Sequence, residues 1–154
     1  MKISNGALWL VLALGGMLWG ADSNKPDFTG KWELNLGKSD FGKVSKPTSM
    51  SLQAEQKGAV FHATQTTTDQ QGSQTIESDW IIDGKTHELT GKGGGKLTCR
   101  WDGNTLVSQK EWENGQYKEV TKLTLSKDGK LATEKIDSKN PNGENHATLV
   151  WERR

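Results

Sequence analysis

Between residues 29 and 152, apolar and polar side chains alternate in short runs, each closed by a cluster of glycine, aspartate or asparagine. A period of two marks β-strands that are buried on one face, and no segment carries a convincing helical period. The pattern predicts strands at 29–36, 48–56, 59–68, 74–82, 86–90, 96–102, 105–113, 116–126, 131–137 and 146–152. Four turns are spelled by Asp83-Gly84, Asp102-Gly103, Asn114-Gly115 and Asp128-Gly129, dipeptides that accept positive φ and so close hairpins. Serial hairpins make sequence neighbours into sheet neighbours. An up-and-down sheet of 8 to 10 antiparallel strands leaves two raw edges unless it curls on itself, so the expected fold is an all-β barrel.

Alternation also assigns faces. Ile76, Ser78, Trp80 and Ile82 share one face, as do Leu97, Cys99 and Trp101, and Leu106, Ser108, Lys110 and Trp112. These faces mix tryptophan and isoleucine with serine and lysine, which predicts an interior with an apolar end and a wetter end. In a dry core each unpartnered polar group costs roughly 1–3 kcal/mol, so a hydrated cavity follows more naturally than a solid filling. Trp80, Trp101 and Trp112 are the expected apolar walls of that cavity, and Gln65, Ser78, His87, Ser108 and Lys110 the expected polar contacts to a ligand. The segment 116–126 is expected to carry a bulge, because Tyr117 and Val120 fall out of phase.

The N-terminus differs in composition from the rest of the chain. Lys2, an apolar run over 7–19 and the small pair Gly20-Ala21 have the order of a secretory signal, with cleavage expected after Gly20 or Ala21. The apolar run is too short for the roughly 20 residues that span a bilayer. The chain therefore divides into a leader at 1–21 and one domain at 22–154, read as secreted or periplasmic with no stable membrane anchor after cleavage. Without Lys2 the domain has 19 basic and 19 acidic side chains, a balance that gives no electrostatic reason to expect nucleic acid. Cys99 is the single cysteine, so the domain is expected to hold together without a disulfide and to bury that thiol in phase with Leu97 and Trp101.

The opening FTGKWELNLGKSDFG, with Gly30 two residues before Trp32, followed by PTSMSL, the DG turns and a closing LVWE strand, resembles the calycin superfamily of lipocalins, fatty-acid-binding proteins and avidins. Within it, the chain is similar to small secreted lipocalin-like bacterial proteins. The resemblance implies a barrel whose closed end is plugged by Trp32, with a basic side chain from the C-terminus, Arg153 or Arg154, stacked on its ring. It also marks departures. Eleven residues from 37 to 47 are too few for the two-helix lid of fatty-acid-binding proteins, no terminal helix is legible, and Asn35 and Ser39 do not keep the avidin loop spacing.

Catalytic and metal chemistry find little support. GKGGGK over 91–96 is one residue short of a phosphate loop, ends in Leu97 where a hydroxyl is required and leads into a strand; a glycine-rich loop at the barrel mouth is the plainer reading. His62, His87 and His146 lack metal-ligand spacing. No cofactor and no enzymatic activity are expected. The sequence supports a binding protein for a small hydrophobic or amphipathic molecule, with a cell-envelope structural or interaction module whose barrel is filled by its own side chains as the alternative.

Overall fold

The computed structural model describes residues 24–89 and 94–154, so the expected leader lies outside the described residues, as does the first half of the GKGGGK segment. Ten antiparallel strands form one sheet: β1 (Gly30–Leu34), β2 (Ser49–Lys57), β3 (Val60–Asp69), β4 (Gly72–Ile81), β5 (Thr86–Leu89), β6 (Gly95–Asp102), β7 (Thr105–Trp112), β8 (Tyr117–Leu125), β9 (Leu131–Asn140) and β10 (Gly143–Arg153). The order β4-β3-β2-β1-β10-β9-β8-β7-β6-β5 is a meander in which the last strand pairs with the first. Trp32 lies opposite Arg153, and Leu34 opposite Trp151.

The sheet curls into a barrel that is nearly closed. Among the described residues β4 and β5 share no ladder, and the seam is stitched only near one end by a bridge between Ile82 and Cys99. Full removal of the edges, expected from the sequence, is thus not achieved. With only four residues, β5 is too short to run along the whole of β4.

At the seamed end the interior is filled by apolar side chains. Phe28, Trp32, Phe61, Leu97, Cys99 and Leu106 are all buried there. The Phe28 ring stacks parallel to Trp101 at 6.4 Å and meets Phe61 edge-on at the same distance. Residues 24–29 cross below this cluster and are tied to it: Trp32 Nε1–H donates to the Phe28 carbonyl (2.9 Å), and Gln56 Nε2–H donates to the Pro26 carbonyl (3.2 Å). The Arg153 guanidinium lies over the Trp32 ring, 4.4 Å from its centroid. It donates to the carbonyls of Gly129 (2.8 Å), Asp27 (2.9 Å) and Thr29, so one side chain joins the β8–β9 turn, the last strand and the entering chain. A side chain at residue 30 would start 3.2 Å from Arg153 Nη1, and the backbone there has φ +144°, so glycine leaves the path clear.

β8 has regular register on both sides, from Trp112 opposite Tyr117 to Leu106 opposite Leu123, and the expected bulge is absent. Val120 simply faces outward. That assignment turns Tyr117, Glu119, Thr121 and Leu123 inward.

Candidate functional site

The pairing of β7 with β8 lays out the interior in steps. Opposite partners run from Leu106–Leu123 near the apolar end, through Ser108–Thr121 and Lys110–Glu119, to Trp112–Tyr117 at the other rim. Polarity therefore rises along the axis because two alternating strands place hydroxyls, then charges, in successive layers. β9 and β10 continue the same layers around the wall, with Glu134 opposite Leu149 and Ala132 opposite Trp151.

Above the aromatic floor a chamber of about 310 Å³ remains open. Phe61, Leu52, Ile136, Leu149 and Trp151 supply apolar wall, while Gln65, Ser78, Lys110, Glu119, Thr121 and Glu134 bring polar atoms to it. Its volume lies at the small end of the range for ligand pockets. An outer chamber of about 370 Å³ shares Met50, Glu119, Ile136 and Leu149 with the inner one and is bounded by Phe41, Val44 and Pro47 of the 35–48 loop. That loop is fixed to β10: Asp40 and Thr148 exchange backbone hydrogen bonds of 2.8 and 2.7 Å, and Asn145 Oδ1 accepts from the Lys43 amide at 2.6 Å. Ile76 lines the inner chamber yet is 54% exposed, so the chamber also opens sideways where β4 lacks a partner.

Three ionisable side chains face the inner chamber. Lys110 Nζ lies 3.7 Å from Glu119 Oε1 and 5.6 Å from the Trp80 ring centroid, an ammonium answered by both an ion pair and an aromatic face. Glu134 Oε2 accepts a hydrogen bond from Trp151 Nε1–H at 2.9 Å, and among the described residues its carboxyl accepts no other. Enclosure by the barrel wall raises its pKa above the usual carboxylate range; the Trp151 hydrogen bond and Lys110 oppose the rise, and Glu119 adds to it.

Of the eight sequence-predicted contacts, Gln65, Ser78, Trp80 and Lys110 meet around this chamber. The other four lie elsewhere. Trp101 stacks on Phe28 in the floor, with Lys25 Nζ 6.0 Å from its ring centroid. Ser108 is buried between Cys99 and Thr121 and does not line the chamber. His87 Nε2 is 3.0 Å from both carboxylate oxygens of Asp83. Trp112 stacks on Tyr117 at 5.6 Å and faces a separate surface cleft at Gly94 and Gly95. The Cys99 thiol is fully buried, and burial pushes its pKa up to about 11. The remaining histidines also sit beside aspartates, His62 with Asp79 and His146 with Asp137, each at 2.6 Å. Among the described residues no group of side chains has the makings of a metal site, and no helix is long and apolar enough to cross a membrane.

Glu119 and Glu134 were missed by sequence reasoning. The expected bulge hid Glu119. Glu134 carried a signal, being in phase with Ala132 and Ile136, but charged neighbours on both sides of β9 blurred it.

The architecture is that of a calycin-like β-barrel. The chain is similar to secretory abundant heat soluble protein 4 from Ramazzottius varieornatus (TM-score 0.59, 14% identity, 82% of this chain and 94% of that one). It also resembles fatty-acid-binding protein 1 of Echinococcus granulosus (TM-score 0.59, 10% identity, 82% and 96%) and zebrafish ileal bile acid-binding protein solved with cholic acid (TM-score 0.57, 16% identity, 82% and 98%). Identities this low establish the common fold. No protein-family model and no curated protein sequence matches the chain.

Proposed function

We propose that this protein is an exported carrier that holds one small amphipathic molecule inside the barrel, without transforming it. The observation that carries the reading is the inner chamber of about 310 Å³, walled by aromatic and aliphatic side chains on one side and by Lys110, Glu119 and Glu134 on the other. A barrel serving only as a structural module has no need of ionisable groups inside, since each costs desolvation that packed hydrocarbon avoids. Proteins of the same fold named for fatty-acid and bile-acid binding support an occupant in this place. The volume holds on the order of ten heavy atoms at the ~30 Å³ of a liquid water, which favours a compact ligand over a long acyl chain.

Export rests on the N-terminal pattern of Lys2, the apolar run and Gly20-Ala21. Edman sequencing of the protein recovered from the periplasm or medium is expected to begin at Ala21 or Asp22. Binding is tested by native mass spectrometry of the protein purified from its source and by titrating tryptophan emission with octan-1-ol. A retained small molecule, or a saturable shift from Trp80 and Trp151, is the expected result. Absence of both would return the barrel to a structural role.

A further inference from the structure

The charged groups in the chamber are not balanced, and their arrangement selects among amphipathic ligands. We infer that the occupant carries a protonated amine, which docks on Glu134 with its apolar body against Phe61, Leu52 and Leu149. The inference rests on the reading of the barrel as a ligand chamber and specifies the chemistry of its guest.

Lys110 from β7, Glu119 from β8 and Glu134 from β9 face the inner chamber, and Lys46 and Asp69 line the outer one. Lys110 is the natural anchor for a carboxylate, but Glu119 and the Trp80 face already engage it. With Glu134 ionised, a carboxylate guest would set three anions against that single ammonium. An ammonium guest instead makes two of each sign. Glu134 is the group left to receive it: Trp151 holds Oε2 at 2.9 Å and so fixes the carboxyl, while no cation among the described residues pairs with it. Burying an ammonium is costly unless it meets an acceptor of opposite charge, and this half-buried carboxyl, held by Trp151, is such an acceptor.

A second consequence is linked proton release. The carboxyl is held toward its protonated form by enclosure. An arriving ammonium favours the carboxylate, so binding draws that pKa down and amine affinity rises with pH across the group's titration.

The test uses the chain without its leader and three probes of equal chain length: octylammonium, octanoate and octan-1-ol, followed by tryptophan emission. Octylammonium is expected to bind at least about tenfold tighter than octanoate. Glu134→Gln should weaken the amine about tenfold while leaving octan-1-ol within about twofold. Lys110→Met removes a like charge and frees Glu119 as a second acceptor, so it should tighten the amine, whereas an anionic ligand would lose its anchor. Octanoate binding as tightly as octylammonium, or an amine affinity indifferent to Glu134→Gln, overturns the inference. Octan-1-ol binding with no gain for the amine overturns the charge assignment and spares the chamber. Failure of all three probes overturns both.

Discussion

At the scale of single residues, the floor and the chamber are governed by opposite demands. Trp32 is 2% exposed, is hydrogen-bonded through its ring nitrogen and is capped by Arg153. Trp32→Ala is expected to cost about 3–5 kcal/mol, read from urea unfolding, because the cavity it leaves cannot collapse between fixed strands. Gly30→Ala tests the same corner from the backbone side. With φ +144° and Arg153 Nη1 3.2 Å from the new methyl, it should cost about 1–3 kcal/mol and loosen the guanidinium from the Trp32 ring. Glu134 is the reverse case, a group whose native surroundings oppose its charge. At pH below the usual carboxylate range it is protonated both folded and unfolded, and exacts no penalty. As pH rises, the unfolded chain ionises first, so the native state loses stability until the pH passes the raised folded pKa. Glu134→Gln removes this titration and keeps an acceptor for Trp151. Its melting temperature should match that of the parent near pH 4 and exceed it by a few degrees near pH 8.

At the scale of elements, hairpins explain why most of the architecture was legible. Every strand announced itself by alternation, and the dipeptides at 83–84, 102–103, 114–115 and 128–129 fall between strands where turns were expected. What escaped was set by relations that alternation does not encode. Reading Tyr117 and Val120 onto one face required an extra residue in β8, whereas the fold lets a valine face outward and places Glu119 beside Lys110. Trp101 and Trp80 look alike in sequence, yet one lies in the floor and the other in the chamber, because residues 24–29 fold back to cover only the first. The open seam was equally silent, depending on the four-residue length of β5. The β7–β8 turn carries its own strain: Glu113 has φ 51° and Asn114 φ 56°. A side chain without asparagine's tolerance for this region is disfavoured by about 1–2 kcal/mol. Glu113→Asn is accordingly expected to stabilise the protein by up to about 1 kcal/mol in urea unfolding with no change in ligand affinity.

Across the whole molecule, the barrel combines a packed closed end with a hollow, charged middle, a fixed loop at the rim and, among the described residues, an open seam between β4 and β5. Such a division lets stability and binding vary separately: the floor cluster holds the strands together, so the chamber above it need not be filled to keep the fold. Ser78 offers the means to check this. It lines the inner chamber from β4, opposite Ala63, while its neighbour Glu77 points to solvent. Ser78→Phe would set a ring in the space assigned to the ligand and bury apolar surface against Phe61 and Trp80, so the melting temperature should hold or rise. The tryptophan response to octan-1-ol should disappear. Glu77→Phe adds the same ring on the outer face of the same strand and should leave that response intact. If Ser78→Phe folds and still binds as the parent does, the ligand occupies some other part of the molecule, and the hollow must be explained as water retained around Lys110, Glu119 and Glu134.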